Sequence, residues 1–192
     1  MNAWYVRRIV VVIAVILVVI AGIAVIRGGN QQKPLSPAAN KPLTLPEYGN
    51  TTGQVSWTID GRVNGDDIHR QIRVTVSRDS RVIDVIQGYG GIVMTTKQYY
   101  NTLQAYDVFL RAINTEKFLL ARKGVKNTDE RGQCPLGFRN IFKLEQDNKQ
   151  ISRLWSSTCS GIGTFAGNTA DLQVLFKRQI PDYDKLTAQV AL

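Results

Sequence analysis

The chain has 192 residues, a formal net charge of +9, two cysteines and one histidine. Once an apolar N-terminal stretch is set aside, this length leaves room for one globular domain. The excess of basic residues is compatible with wall polymers, phospholipid headgroups or nucleic acid as contacts, and it selects none of them. Two cysteines are too few for a metal site built from cysteine alone, so the composition argues against that class of site.

Residues 9–26 read IVVVIAVILVVIAGIAVI and contain no charge, proline or polar side chain. A helix of this length rises about 27 Å, close to the thickness of a bilayer core. Arg7 and Arg8 precede the run, and the positive-inside rule then places residues 1–8 in the cytoplasm as a short stub. We therefore predict a single-pass protein of the cell membrane whose C-terminal part is extracytoplasmic.

A cleaved signal peptide is the alternative, because Gly22 and Ala24 have small side chains that suit a peptidase. The apolar run is longer than the core of a typical signal peptide and continues past these two residues, which favours an uncleaved anchor. Residues 27–52 follow the run, with four of the six prolines and no apolar period. They predict a semi-rigid, Pro-rich linker between the anchor and the domain.

Apolar and polar residues alternate from residue 53 onward, as in half-buried strands. The pattern predicts, in chain order, strands at 53–61, 68–77, 81–87 and 92–97, a helix at 102–116, strands at 138–145 and 151–157, and a helix at 169–180. The order ββββαββα indicates an α+β domain at 53–187, with one antiparallel sheet of about six strands and two helices packed on one face. Residues 188–192 are predicted to be a C-terminal tail.

Cys134 precedes the fifth predicted strand and Cys159 follows the sixth. If these strands form a hairpin, both cysteines lie at its open end, where the Cα separation can fall below the roughly 7 Å that a disulfide requires. An exported domain is exposed to an oxidising compartment, so we predict a Cys134–Cys159 disulfide.

No catalytic motif stands out in the sequence. His69 lies near Asp66 and Asp67, an arrangement that a general base with a carboxylate partner would use. Strand alternation, however, predicts that His69 shares a solvated face with Arg73. The glycine-rich segment 161–167 lacks the lysine of a phosphate-binding loop, and no serine lies in a nucleophile motif. We therefore assign no catalytic residue, no metal ligand and no cofactor.

Four arginines around the second predicted hairpin form a candidate anion-binding surface: Arg70, Arg73, Arg78 and Arg81. They would attract an anionic envelope polymer. A weaker candidate is the start of the second predicted helix, whose free N–H groups could hold an envelope phosphate. No set of interleaved aromatic residues accompanies the arginines, so the pattern does not favour nucleic acid as a partner.

Three segments resemble a group of known sequences: DERGQCPLG at 129–137, SRLWSSTC at 152–159 and QIPDY at 179–183. They are similar to uncharacterised, single-pass, membrane-anchored exported proteins of candidate-phylum bacteria of the Saccharibacteria type. The resemblance covers roughly residues 53–187. It implies one anchor helix followed by one small exported domain, and it implies no activity and no catalytic residue.

Two classes of function remain compatible with the sequence. The first is a non-catalytic binding or interaction module of the cell envelope, whose partner would be an anionic envelope polymer or another protein. The second is an exported hydrolase with an unrecognised active site. A deep pocket that gathers His69 with acids or a serine would favour the hydrolase, whereas an open sheet face rimmed by Arg and Tyr would favour binding. Because the ionisable residues do not converge in the sequence, we expect a binding module. The oligomeric state is left open.

Overall fold

A computed structural model describes Trp4 and residues 43–126, 128–159 and 163–192. The predicted anchor at 9–26 lies outside the described residues, as do nearly all of the stub at 1–8 and the linker up to residue 42. Within the described part, no helix is both long enough and apolar enough to cross a bilayer. The chain divides into the units Met1–Pro42 and Leu43–Leu192, and the second unit is the one described below.

One six-stranded antiparallel sheet organises this unit. Its strands are β1 Gln54–Asp60, β2 Arg70–Ser77, β3 Ser80–Gln87, β4 Ile92–Tyr100, β5 Arg139–Gln146 and β6 Lys149–Ser157. They lie side by side in the order β4-β3-β2-β1-β5-β6, and every neighbouring pair is antiparallel. The predicted α+β class and its six-stranded antiparallel sheet are therefore confirmed.

The helices are α1 Leu103–Thr115, α2 Thr169–Lys177 and the short α3 Tyr183–Thr187, and a 3-10 helix, Leu45–Asn50, precedes β1. Thr102 caps α1 by accepting a hydrogen bond from the backbone N–H of Ala105. Asn168 caps α2 by accepting a hydrogen bond from the backbone N–H of Asp171. Both caps satisfy N–H groups that the first turn of a helix leaves unpaired.

The hydrophobic core lies between one face of the sheet and the helices. Trp57 of β1 is fully buried, and its ring contacts Phe176 of α2 and Tyr183 of α3 with centroids 6.3 Å apart in both pairs. Alternate residues of β1 and β2 point to this side, as their period of two predicts: Val55, Trp57, Ile72, Val74 and Val76. The opposite face of the sheet is predominantly polar.

The domain extends beyond both predicted boundaries. Leu45 and Tyr48 of the 3-10 helix are buried members of the core, so this part of the predicted linker belongs to the domain. At the other end, Val190 and Leu192 of the predicted tail pack against the same core. Single turns and short apolar pairs show no period in a sequence, which is why the pattern missed both ends.

The predicted disulfide is present. Cys134 and Cys159 are bonded with a Cα–Cα distance of 5.7 Å, and they close the open end of the β5–β6 hairpin. Gly137 lies directly against the bridge, where a Cβ atom would collide with Cys134 Sγ and Thr158 Oγ1. The bridge therefore ties the segment before β5 to the segment after β6.

Candidate functional site

The sheet face opposite the core presents rows of polar side chains, because alternate residues of each strand point away from the helices. The register fixes which side chains are neighbours across the strands. One row, from β5 to β3, consists of Lys143, Ser56, Thr75 and Val82. The next row consists of Ile141, Thr58, Arg73 and Asp84.

A shallow trough of about 320 Å³ follows β1 and β2 on this open face. Its floor is made of the small side chains of Ser56 and Thr75, and longer side chains rise on both sides. The lining residues are Gln54, Ser56, Arg73, Thr75, Val82, Lys143 and Glu145. Small residues in the middle and long ones at the sides give the face its concave shape.

The hydroxyl groups on the floor of the trough have no partner in the described part of the chain. Neither Ser56 Oγ nor Thr75 Oγ1 makes a hydrogen bond with any described residue. No buried side-chain nitrogen or oxygen of the described residues lacks a partner, so these two hydroxyls must be accessible from the trough. They are available to donate hydrogen bonds to a ligand and to accept them.

The charged groups around the trough differ in how they are paired. Arg73 donates from Nε and Nη2 to Asp84 Oδ2, at 3.1 and 2.8 Å, and Asp84 Oδ1 accepts from the hydroxyl of Thr96 at 2.7 Å. Glu145 accepts from Gln54 Nε2 at 3.3 Å. Among the residues that line the trough, Lys143 is the cation without a hydrogen-bond or ion-pair partner in the described chain. Its ammonium group is thus free to meet an anionic ligand group.

The segment before β5 bounds the open face on the β6 side. Trp155 of β6 is buried, and its Nε1 donates to the carbonyl oxygen of Thr128 at 3.0 Å. Arg153 donates two hydrogen bonds to the carboxylate of Glu130. Burial raises the pKa of Glu130, but these guanidinium contacts outweigh burial and hold the pKa below its ordinary value. Glu130 is therefore an anion that keeps this segment closed over β6.

His69 is buried, and the prediction that it lies on a solvated face was wrong. Its side chain has no solvent exposure, since β2 begins only at Arg70 and His69 belongs to the loop that folds back onto the end of β1. His69 Nε2 lies 2.7 Å from Asp60 Oδ1, and Nδ1 lies 3.0 Å from the carbonyl oxygen of Arg62. The ring stacks on Tyr89 with centroids 4.1 Å apart. Local alternation could not reveal this, because it treats a loop residue as part of the strand.

Asp60 joins His69 to a buried arginine, Arg139. Arg139 donates from Nε to Asp60 Oδ2 at 2.7 Å, and its other nitrogens donate to the carbonyl oxygens of Gln133 and Gly61. Both ring nitrogens of His69 lie within hydrogen-bond distance of an oxygen atom, and Nε2 also lies 3.5 Å from Gln71 Nε2. The cluster is internally satisfied and enclosed, so His69 has no nitrogen available for a substrate.

The four arginines predicted as one anion-binding surface are not brought together. Arg73 lines the trough, whereas Arg81 lies on the core side and donates to the carbonyl oxygens of Tyr100 and Gln179. Arg70 is the first residue of β2, and Arg78 directly follows its last residue. Arg70 donates to backbone carbonyl oxygens, and Arg78 pairs with Asp79 in the turn. Strand alternation and strand length separate residues that are close in the sequence.

Sequence reasoning missed the groups that do converge, namely Lys143, Ser56 and Thr75. Lys143 is 87 positions from Ser56 in the numbering, and only the pairing of β1 with β5 makes them neighbours. The polar alternation of β1 was a usable signal for an open face. Nothing in the sequence indicated which strand would lie beside β1, so the cross-strand row could not be predicted.

The described part of the glycine-rich segment packs against the edge of the sheet. Residues 160–162 lie outside the described residues. The following residues contact the outer edge of β6, where the Thr164 hydroxyl accepts from the N–H of Trp155 and the N–H of Phe165 donates to its carbonyl oxygen. The Asn168 side chain already accepts from the N–H of Asp171 at the start of α2.

No group of three or more metal-ligating side chains occurs among the residues that the structure describes. Comparison of the chain with protein-family models finds no matching family, and comparison with curated proteins finds no match.

Proposed function

We propose that this protein is a membrane-anchored, extracytoplasmic binding module of the cell envelope, and that the trough on the open sheet face is its ligand site. The observation that supports the proposal is the set of unpaired groups in the trough. Two hydroxyls and one ammonium group face it without partners in the described chain, on a sheet whose other face is packed by helices. Such groups are satisfied by water or by a ligand.

The shape of the trough favours an extended polymer over a small molecule. Sites for small molecules enclose most of the ligand and are predominantly apolar, whereas this trough is shallow and floored by Ser56 and Thr75. Hydroxyls and the Gln54 amide suit a ligand rich in hydroxyl groups, and Lys143 suits an anionic group on it. The ligand class is thus a glycan or polyol polymer of the envelope that bears phosphate or carboxylate groups.

Two further features support a position outside the membrane. The apolar run at 9–26 and the preceding Arg7 and Arg8 favour an anchor with a cytoplasmic N-terminus. The Cys134–Cys159 disulfide is typical of oxidising compartments. The resemblance to anchored exported proteins of Saccharibacteria-type bacteria agrees with both features, and we propose that the chain belongs with them.

The alternative, an exported hydrolase, gains no support from the geometry. A general base must come within hydrogen-bond reach of the proton that it removes. The ring of His69 is enclosed, and its two nitrogens face Asp60 and a backbone carbonyl group. The described geometry therefore favours the binding function.

The proposal is tested by co-sedimentation of the full chain, in detergent, with purified bacterial cell walls before and after extraction of their anionic polymers. Lys143→Gln removes the unpaired charge, and we expect wall affinity to fall roughly two- to fivefold, as for an exposed ion pair. Added salt should weaken wild-type binding by screening the same attraction.

Lys149→Gln is the matched control, because Lys149 lies at the β5–β6 turn, outside the trough. It makes the same chemical change on the same hairpin and should leave binding unchanged. Equal losses from both variants would show that net charge, and not the trough, determines binding. Failure of the wild-type chain to sediment with either wall preparation would refute the proposal.

A further inference from the structure

The two edges of the sheet differ in how they are protected. At the β6 edge, Gly163 forms an antiparallel bridge with Ser156, and the N–H of Phe165 donates to the carbonyl oxygen of Trp155 at 2.8 Å. At the other edge, β4 pairs with β3 alone, and no described strand lies on its outer side. The outer backbone groups of β4 are therefore open to pairing with another strand.

β4 also lacks most of the features that prevent an edge strand from pairing with a strand of another molecule. Native edge strands are usually short, interrupted by proline or bulges, or rich in charge. β4 has nine residues, no proline and one charged residue, Lys97. Its bulge lies near the start of the strand, opposite Val85 and Ile86. Four of its apolar and aromatic side chains are substantially exposed: Ile92, Val93, Met94 and Tyr100.

The single charge of β4 is paired within the chain. Lys97 Nζ lies 2.7 Å from Asp182 Oδ2, and both side chains are partly exposed. The hydrogen bond to Asp182 raises the pKa of Lys97, so the pair stays ionised at neutral pH. An approaching strand thus meets one partly exposed ammonium group along this edge.

We propose that β4 pairs antiparallel with β4 of a second copy of this chain, across a two-fold axis at Thr96. This register places Ile92 opposite Tyr100 of the second copy, which combines a β-branched with an aromatic side chain, a favourable cross-strand pair. It also places Lys97 opposite Thr95. A register centred on Lys97 would instead oppose two ammonium groups directly, which is destabilising.

Two-fold symmetry favours a second copy of this chain as the partner that pairs with β4. In an antiparallel pair related by a two-fold axis, each contact occurs twice, so one strand supplies both sides of the interface. The apolar start of β4, Ile92 and Val93, meets the aromatic end, Tyr99 and Tyr100. The strand is thus complementary to its own reversed copy.

Dimerisation at β4 would extend one sheet through both copies and give two troughs for one polymer. The trough lies over β5, β1, β2 and β3, away from the β4 edge. A polymer that reached both troughs would bind more tightly than to either alone, because its second contact is intramolecular. The dimer itself does not depend on what the trough binds.

The test compares Thr95→Lys with Thr95→Glu in the full chain, by sedimentation equilibrium in detergent. Thr95 is exposed and lies outside the trough. Lysine at this position would lie opposite Lys97 of the second copy, and the two-fold axis would repeat this contact. We therefore expect dimer affinity to fall roughly two- to thirtyfold. Glutamate would face the same lysine and should leave the affinity unchanged or increase it. Melting temperatures of both variants report whether the fold is intact.

A loss of dimer affinity with lysine and no loss with glutamate would support the β4 pairing, because association through residues 9–26 would not distinguish the two variants. Equal effects, or none, would overturn it. A second measurement needs no variant: amide hydrogen exchange of 92–100 in the wild-type chain should slow as protein concentration rises. A chain that is monomeric at all concentrations, or whose β4 amides exchange at the same rate throughout, would also overturn the proposal.

Discussion

Asp60 is the residue that compensates the buried charge at the end of β1. It accepts hydrogen bonds from Arg139 and His69, at 2.7 Å each, while the Arg139 side chain is almost completely buried. Removing one partner of a buried ion pair leaves a charge that neither water nor protein compensates. The contribution of Asp60 to stability is therefore expected to be much larger than that of a surface carboxylate.

Asp60→Asn should lower the free energy of unfolding by about 3–5 kcal/mol, because Arg139 would be left buried without its carboxylate. Urea denaturation of the intact chain, followed by circular dichroism, measures this change. Asp79→Asn is the matched control: Asp79 pairs with Arg78 but is exposed, and its loss should cost less than about 1 kcal/mol. Similar small losses at both positions would contradict the buried-pair account.

Residues with similar sequence environments have different roles in this domain. Arg73 and Arg81 both lie in strands of the meander, yet one lines the trough and the other bonds to carbonyl groups on the core side. Successive residues of a strand point to opposite faces of the sheet, so an odd or even position in the strand decides the face on which a side chain lies. A cluster of arginines in a sequence that forms strands is therefore no indication of a shared surface.

At the scale of elements, the β5–β6 hairpin is the unit that completes the trough. β5 supplies Lys143 and Glu145, and the disulfide closes the open end of the hairpin. The cysteines are 25 residues apart in sequence, so the bridge removes considerable freedom from the unfolded chain. We expect the bridge to stabilise the element that carries the proposed ligand cation.

Replacing both Cys134 and Cys159 by serine should lower the free energy of unfolding by roughly 2–4 kcal/mol, since a closed loop of this length is lost from the unfolded state. Chemical denaturation gives the value, and reduction of the wild-type chain should reproduce it. Mass spectrometry of the native protein should show two mass units less than the dithiol. Rapid alkylation of two free thiols in the native chain would contradict the bridge.

At the scale of the whole molecule, the proposed membrane anchor is the feature with the largest consequence. The prediction rests on the uncharged run at 9–26. Ile16→Lys together with Val19→Arg should disfavour insertion by about 2.5–3.5 kcal/mol per residue at the helix centre. Carbonate extraction of membranes measures the result: the wild-type chain should stay in the pellet, and the double variant should be released.

Leu136→Lys with Val108→Arg is the matched control for the anchor. Both positions are exposed on the described domain, at 84% and 67% of their maximal accessible surface. The same two charges placed there should leave membrane retention intact. Release of the wild-type chain by carbonate would contradict the anchor. So would release of the control variant while the Ile16→Lys, Val19→Arg variant stays in the pellet.

Features that depend on neighbouring residues could be predicted from the amino-acid sequence. Period-two alternation identified six strands and the inward side chains of β1 and β2, including Trp57. Helical spacing identified α1 and its buried Tyr106 and Leu110. The positions of the two cysteines, one before and one after a predicted hairpin, predicted the disulfide. In each case the deciding geometry is local, because strand and helix periods are fixed by the backbone.

Contacts between residues that are distant in the chain could not be predicted in this way and are known from the folded domain. The pairing of β1 with β5 placed Lys143 beside Ser56, and the return of the β1–β2 loop buried His69 against Asp60. Leu45 is a buried member of the core, and Leu192 packs against it. These outcomes depend on strand order, loop path and buried surface summed over the whole domain. No window of neighbouring residues contains that information, since a sheet joins strands that are far apart in the chain.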